Sequence, residues 1–321
     1  MRRAVATQVA QNPAEVIKVV DFSPPAGRAG WTLVHVRAAA LNQHDLWSIR
    51  GIGVMPEQFP LGIASDVAGV TDDGREVIVH SLVADPDRGG GTELLDPRRA
   101  MLAEATTGGA ADVVLVPDRN LVDKPAELDF TSAACLPTAW LTAYHMLFTA
   151  ARARPGQVVL VQGAAGGVAQ AATTLAVHAG LRAFVTGRDA RRRKAAEALG
   201  ADAVLEAGQR LPERADVVID TVGAATWDHS LRSVKPGGTV VVAGATTGGS
   251  VGLDLFRLFL QHVRILGTSM GTVDELRDLV TLVATARISP AVDSVHDLGD
   301  AAAAVGRLAS GDAVGKVLIR P

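Results

Sequence analysis

An α/β fold in two domains, one β-rich and one a doubly wound parallel sheet, is predicted for this chain of 321 residues by three observations. The first 120 or so residues carry short alternating runs broken by Pro and Gly. A hydrophobic strand then runs into a small-residue turn and a helix at Val158-Val-Leu-Val-Gln-Gly163-Ala-Ala-Gly166-Gly167-Val-Ala169, and beyond it strand-like and helix-like segments alternate. A chain of this length also favours two domains over one.

Taken in order, Thr32-Leu-Val-His-Val-Arg-Ala and Glu76-Val-Ile-Val-His read as half-buried strands by their alternation. Between Asp85 and Gly109 the turn-rich run Asp-Pro-Asp-Arg-Gly-Gly-Gly precedes a short helix expected around Glu93 to Glu104, and mobility is expected there. From Phe130 the pattern turns helical. Strands are then expected at Val158 to Gln162, Ala183 to Thr186, Ala203 to Leu205, Asp216 to Thr221, Thr239 to Ala243 and Val263 to Leu266, with helical crossovers between them. Ala301 to Ala304 reads as plain helix. The tail from about Ser289 returns to strand signals, ends in Gly315-Lys-Val-Leu-Ile-Arg, and is expected to rejoin the first domain. The division predicted is 1–122 with 287–321 as one domain and 123–286 as the other.

The small-residue turn carries the first chemical signal. A helix start offers unpaired N–H groups and the positive end of the helix dipole, and only residues without bulk let an anion reach them. The spacing is a variant of the Rossmann dinucleotide fingerprint, with Ala164 first, Gly166 in the middle and Ala169 last. Gly163, Ala164, Gly166, Gly167 and Val168 are therefore assigned to a pyrophosphate, although such a turn alone also serves as an ordinary strand-to-helix connection. Leu181-Arg-Ala-Phe-Val-Thr-Gly187-Arg188-Asp189 ends where such a fold meets the adenine ribose. Gly187 at the strand tip leaves room for a 2′-phosphate. Arg188 and Arg192, four apart, share a face if the first turn is helical, and a guanidinium pairs bidentately with phosphate. NADPH is the cofactor this predicts; the alternatives are a solvated basic helix end and an Asp189 that swings round to a ribose hydroxyl. Val222, Gly244, Ala245, Gly267, Thr268 and Ser269 follow strands of the second half of the sheet and are assigned to the nicotinamide side, because ligands bind at carboxyl ends of such strands.

Lys plus Arg number 31 against 34 Asp plus Glu, a net charge of −3, so no basic field exists to attract nucleic acid. The apolar run at the N-terminus breaks at Gln8 and Gln11, too soon for a secretory segment, and no stretch is long and apolar enough to span a bilayer. Cys135 is the only cysteine, which excludes an internal disulfide and any multi-cysteine zinc site. A cytoplasmic location is expected.

The blocks Ala38-Ala-Ala-Leu-Asn42-Gln-His44-Asp45-Leu-Trp, Ser65-Asp66-Val-Ala-Gly69-Val, Leu136-Pro137-Thr138-Ala-Trp-Leu-Thr142-Ala-Tyr144, the glycine turn and the closing Gly315-Lys-Val-Leu resemble the medium-chain dehydrogenase/reductase superfamily over nearly the whole chain. The resemblance is greatest to its zinc-free quinone oxidoreductase and enoyl reductase branch, although Val222-Gly223-Ala-Ala-Thr-Trp227 with Gly244-Ala-Thr-Thr-Gly is similar to zinc-binding alcohol dehydrogenases. It implies a GroES-like catalytic domain and a Rossmann domain. Matching the motifs places Asn42, Ser65 and Thr138 at the catalytic-zinc ligand positions, and none is a good ligand for that ion. The lobe that holds a structural zinc in relatives corresponds to the stretch after Asp85 and has no cysteine. His44, Asp45 and Asp66 remain as possible metal recruits, against a hydrogen-bonded polar cluster under the nicotinamide. The expected state carries no metal.

Without a Lewis acid, oxidation of an unactivated alcohol is difficult, whereas a quinone or an α,β-unsaturated carbonyl already accepts hydride at carbon. The resemblance implies NADPH-dependent reduction of such an electron acceptor. Asn42, His44 and Asp45 are the candidate catalytic residues. Asn42 would bond the substrate oxygen or the nicotinamide ribose, and Thr142 matches a position that approaches the nicotinamide. His44 stands where zinc-dependent relatives carry a proton-relay hydroxyl, so it is read either as a proton donor or as a structural histidine paired with Asp45 or Asp66. Tyrosines that line several quinone reductase pockets are missing: Trp47 occupies one such position, and Tyr144 is the only tyrosine. Trp47 and Trp140 are pocket wall or core.

Three further expectations stand beside this reading. Gly267-Thr-Ser269-Met-Gly271, followed by Asp293 and His296, matches the nucleophile elbow of serine hydrolases. A chain that binds NADPH without turnover would be a redox sensor or accessory protein. By analogy with the family, a homodimer is expected through the edge strand Val263 to Leu266.

Overall fold

The computed structural model describes residues 1–321. The chain divides into two compact units, Met1–Thr138 with Thr272–Pro321, and Ala139–Gly271. These boundaries lie inside those expected from sequence, for a packing reason. Helix Phe130–Ala134 packs on β1 (Trp31–Ala40) and β2 (Asp66–Thr71), and helix Val273–Thr285 packs on strand Leu121–Asp123, so both helices belong with the β-rich unit.

In the first unit the principal sheet runs Leu121–Asp123, Glu76–Val79, β2, β1, the closing strand Lys316–Arg320 and Val292–Asp297, with Val113–Pro117 also paired to β1. The tail therefore rejoins this unit as expected, Leu318 opposite Ala40 and Ile319 opposite Ala39. Val34 and Val36 of β1, Val67 of β2, Val77, Val79, Val317 and Ile319 make its core with Leu46 and Ile49 of α1 (Gln43–Ile49). The expected helix at Glu93 to Glu104 is broken into a turn at Glu93–Leu95, a strand Ala100–Met101 and a short helix Leu102–Ala105. The preceding stretch is tied down by Asp96, fully buried, which accepts from Arg88 Nη2 at 2.8 Å and from the Asp85 N–H at 2.7 Å.

The second unit is built from β3 (Val158–Gln162), α2 (Gly167–His178), β4 (Arg182–Gly187), α3 (Ala190–Ala198), β5 (Ala203–Glu206), β6 (Ala215–Asp220), α4 (Trp227–Ser233), β7 (Val234–Val242), α5 (Leu255–Leu260) and β8 (Arg264–Gly267). Its strands pair in the order β5-β4-β3-β6-β7-β8, all parallel. This is the doubly wound order, in which the turn after the first strand sits where the winding direction reverses. Every residue of β3 is buried, as a central strand covered on both faces requires. The six expected strands all form; β7 begins earlier than expected, at Val234, ahead of the irregularity in its pairing with β6 between Ala215 and Val217.

Candidate functional site

In the first unit β1 delivers the chain to Asn42, the cap of α1. Asp45 accepts from the Asn42 N–H at 2.7 Å through one carboxylate oxygen and from the Ala64 N–H at 2.8 Å through the other. Both oxygens are thus spent on backbone, and Ala64 itself sits at φ 63°, a conformation that needs such an anchor. Asp45, expected among the catalytic residues, is a structural clamp. Burial pushes its carboxyl above the ordinary range, against the pull of those hydrogen bonds.

The Asn42 side chain is engaged by a residue the sequence reading passed over. Lys316 Nζ donates to Asn42 Oδ1 at 2.6 Å, to the Leu41 carbonyl at 2.9 Å and to Asp66 Oδ2 at 2.9 Å. Ser81 Oγ donates to the other Asp66 oxygen at 2.8 Å. All four polar side chains are buried. Asn42 Nδ2 and Thr138 Oγ1 are also buried, and neither has a hydrogen-bond partner.

His44 pairs with neither Asp45 nor Asp66. Its Nε2 lies 2.6 Å from Glu104 Oε1, to which Ser48 Oγ also donates at 3.0 Å, while Glu104 Oε2 accepts from the Met101 N–H at 3.0 Å. Burial pulls the His44 pKa down, but the hydrogen bond and charge of Glu104, helped by the charge of Asp45, outweigh it and hold the value above 6.5. Burial would raise Glu104; its bonds to His44, Met101 and Ser48 leave it lowered instead, so both partners favour the ion pair. The Trp47 ring meets His44 edge-on, with centroids 6.5 Å apart, whereas Trp140 is wholly buried core.

The positions that match zinc ligands supply one amide and two hydroxyls. The amide oxygen of Asn42 is already bonded to an ammonium, and Ser65 Oγ accepts from the Ala103 N–H at 3.2 Å. No three His, Cys, Asp or Glu side chains gather anywhere in the chain to hold a metal ion. Cys135 is buried, with its thiol pushed up to about 12 by that burial. This donor set does not fit zinc.

The second unit holds the nucleotide turn. Gly163 follows β3 at φ 86°, in the left-handed region where glycine is favoured, and Gly166 caps α2. A Cβ at Gly166 would meet nothing within 4 Å, so the space before the helix start is open, with the half-buried Gly167 and Val168 behind it. That is the cradle a pyrophosphate needs. Gly187 plays a different part from the one expected. A Cβ there would come within 2.9 Å of Arg193 Cγ and 3.1 Å of Ala164 Cβ, so the glycine serves close packing at the strand tip and not an open phosphate pocket. Arg188 precedes α3, so it shares no helical face with Arg192. The side chain of Arg192 is 10 % exposed and bonded to Asp189, whose other oxygen accepts from the Arg192 N–H at 2.9 Å; that of Arg188 is 66 % exposed, with its Nε 3.9 Å from the same carboxylate. Asp189, capping α3, is likewise committed.

Val222, Gly244, Ala245, Gly267, Thr268 and Ser269 all lie at the carboxyl ends of β6, β7 and β8. The turn after β6 is held by Asp220, fully buried at the strand's tip, which accepts from the Val222 N–H at 2.9 Å, the Gly223 N–H at 3.0 Å and Ser230 Oγ at 2.6 Å. Sequence reasoning missed this residue, though a carboxylate closing an apolar strand was a visible signal. The Thr268 N–H donates to the Val242 carbonyl at 2.9 Å. Thr142 is buried in the helix Leu141–Tyr144. The hydrolase constellation does not assemble: Ser269 follows the edge strand, Asp293 is bound by Arg307 at 2.8 Å through each oxygen, and His296 lies 3.0 Å from Ser294 Oγ.

A doubly wound sheet with an open glycine turn, and a cluster of hydrogen-bonding groups in a β-rich unit, define an oxidoreductase that uses a nicotinamide cofactor. Residues 167–285 match the family model described as zinc-binding dehydrogenase. The chain is 32 % identical over 308 residues, 90 % of its length, to the spectinabilin polyketide synthase system protein NorB of Streptomyces orinoci, of which it spans 13 %. It is 26 % identical over 310 residues to the quinone oxidoreductase of Rattus norvegicus, covering 90 % of this chain and 89 % of the relative. Among solved structures, a thermostable alcohol dehydrogenase from Pyrobaculum aerophilum superposes with a TM-score of 0.89 at 30 % identity, covering 100 % of each chain. The chain belongs to the medium-chain dehydrogenase/reductase superfamily. No helix is long and apolar enough to cross a membrane.

Proposed function

We propose that this protein is an NADPH-dependent reductase of quinones or α,β-unsaturated carbonyls that works without zinc. The observation that carries the reading is the buried Lys316 ammonium bonded to Asn42 where relatives place a metal ligand. Nothing in that donor set would acidify an alcohol, so the favoured direction is hydride delivery to an acceptor already polarised.

The bound cofactor supplies hydride. Gly163, Gly166 and the start of α2 would hold its pyrophosphate, and the more exposed Arg188 would meet the 2′-phosphate, Arg192 being the more closely bound to Asp189. Asn42 bonds the acceptor oxygen. His44, whose pKa Glu104 raises, would supply the proton to the reduced acceptor and be recharged from water. Similarity to a quinone oxidoreductase supports the acceptor class.

The chain is further proposed to act as a homodimer through β8 and α5. Helix α5 buries none of its residues and leaves Leu255, Phe256, Phe259 and Leu260 each more than half exposed, next in sequence to an edge strand with unpaired backbone groups. The test of function is oxidation of NADPH, followed at the nicotinamide absorbance, with a panel of quinones, enones and simple alcohols. Turnover of quinones or enones is the expected result. Tight NADPH binding without turnover of any acceptor would replace the reductase with a sensor, and faster alcohol oxidation in added zinc would overturn the metal-free reading.

A further inference from the structure

Lys316 donates three hydrogen bonds, to the Leu41 carbonyl, Asn42 Oδ1 and Asp66 Oδ2, and an ammonium has three protons to give. It has none left for a ligand. Its charge is met by Asp66, whose second oxygen is closed by Ser81. Whatever Lys316 contributes to chemistry therefore passes through Asn42. A carboxamide can be turned either way round, and here the cation decides: with its oxygen on the ammonium, the NH2 group faces the opposite direction, since the reverse would set donor against donor. That NH2 is the buried, unpartnered Nδ2, and Thr138 Oγ1 is a buried hydroxyl likewise without a partner. Buried donors without partners are uncommon in folded proteins, and each calls for a partner that the chain itself does not supply.

We propose that Lys316 is a positioning residue that locks the Asn42 carboxamide with its N–H groups presented to the acceptor's carbonyl oxygen. The proposal rests on the reductase reading above. In the step concerned, hydride with its electron pair leaves the nicotinamide and bonds to the β-carbon of an enone. The π electrons move onto the carbonyl oxygen, and that oxygen's new negative charge is what Asn42 Nδ2 stabilises. A proton, supplied by His44 or by water, then adds at the α-carbon, leaving a saturated carbonyl and oxidised cofactor. A prealigned donor strengthens at the moment charge develops, which is where a rate effect arises.

The experiment is a double-mutant cycle on full-length protein, using 2-cyclohexenone or a short quinone as acceptor, with NADPH affinity measured separately by fluorescence. Asn42→Ala should lower kcat about 100-fold, as loss of one oxyanion donor does. Lys316→Met should lower kcat at least 10-fold while NADPH affinity stays within about twofold. The double variant should be no slower than Asn42→Ala alone, because the lysine acts only through the amide. Lys316→Met strands the Asp66 carboxylate, so Asp66→Asn with Lys316→Met, which removes both charges, supplies a second variant and should lose kcat to the same extent while melting as a folded protein. Multiplicative losses in the cycle, or wild-type kcat in the charge-free pair, would overturn the proposal alone. Failure of the wild-type chain to reduce any quinone or enone would overturn the reductase reading and the proposal with it.

Discussion

Replacing Glu104 by Gln keeps the volume and an oxygen for His44, and removes one charge from a 2.6 Å contact. Two unit charges about 4 Å apart at an effective dielectric of about 20 interact by about 4 kcal/mol. The His44 side chain is 35 % exposed, and water and salt cut that figure to about 1–1.5 kcal/mol. One pKa unit corresponds to about 1.4 kcal/mol, so His44 should fall by about one unit. It falls from a value above 6.5, and burial, the largest single influence on it, is then opposed only by the weaker neighbours. A raised histidine pKa means that the pair's stabilisation is fully present below the unfolded value near 6.5 and disappears as pH climbs through the folded value. Activity that needs the imidazolium follows the same sign. The alkaline limb of kcat/KM in the Glu104→Gln variant should move about one pH unit towards acid. The loss should grow as pH rises through that limb, up to about 10-fold on its alkaline side. Steady-state profiles and an NMR titration of the His44 ring measure both. An alkaline limb in the same place as wild type, or an unshifted ring titration, would refute the dyad.

Three other outcomes are expected. Arg188→Asp should weaken NADPH by at least about 10-fold while sparing NADH, since only the former brings a phosphate to an exposed guanidinium; isothermal titration with both nucleotides measures it, and equal losses would remove the assignment. Asp45→Ala should cost about 2–4 kcal/mol in urea unfolding, because it deletes a helix-start contact and leaves the buried Ala64 N–H unpaired. Phe256→Glu, which puts charge on the exposed face of α5, should shift sedimentation from dimer to monomer with kcat nearly unchanged.

Local patterns made the scaffold readable. Val158–Val161 is apolar throughout and runs into a turn of small residues, so the central strand, the helix start after it and the winding of the sheet were legible in sequence. Asn42 and His44 could be nominated from motif blocks, but their partners could not: Lys316 is 274 residues from Asn42, and Glu104 is 60 from His44. Lys316 stood in a quoted block, Gly315-Lys-Val-Leu, yet nothing local says where a strand lysine sends its ammonium. Gly187 was misread because glycine signals absent bulk without saying whether the gap belongs to a ligand or to Arg193. Arg192 was paired with Arg188 because spacing does not reveal that Asp189, three residues before Arg192, binds its guanidinium.

The closing strand has a consequence for biosynthesis. The β-rich unit is split in sequence, its two segments separated by the contiguous Ala139–Gly271. As the polypeptide leaves the ribosome, the nucleotide sheet can be finished while β1, already able to pair with β2, still lacks the closing strand, and Asn42 waits for its cation until that strand carrying Lys316 emerges. Over that interval Asp66 also lacks the ammonium it meets in the finished fold, so the buried polar cluster is among the last contacts to close.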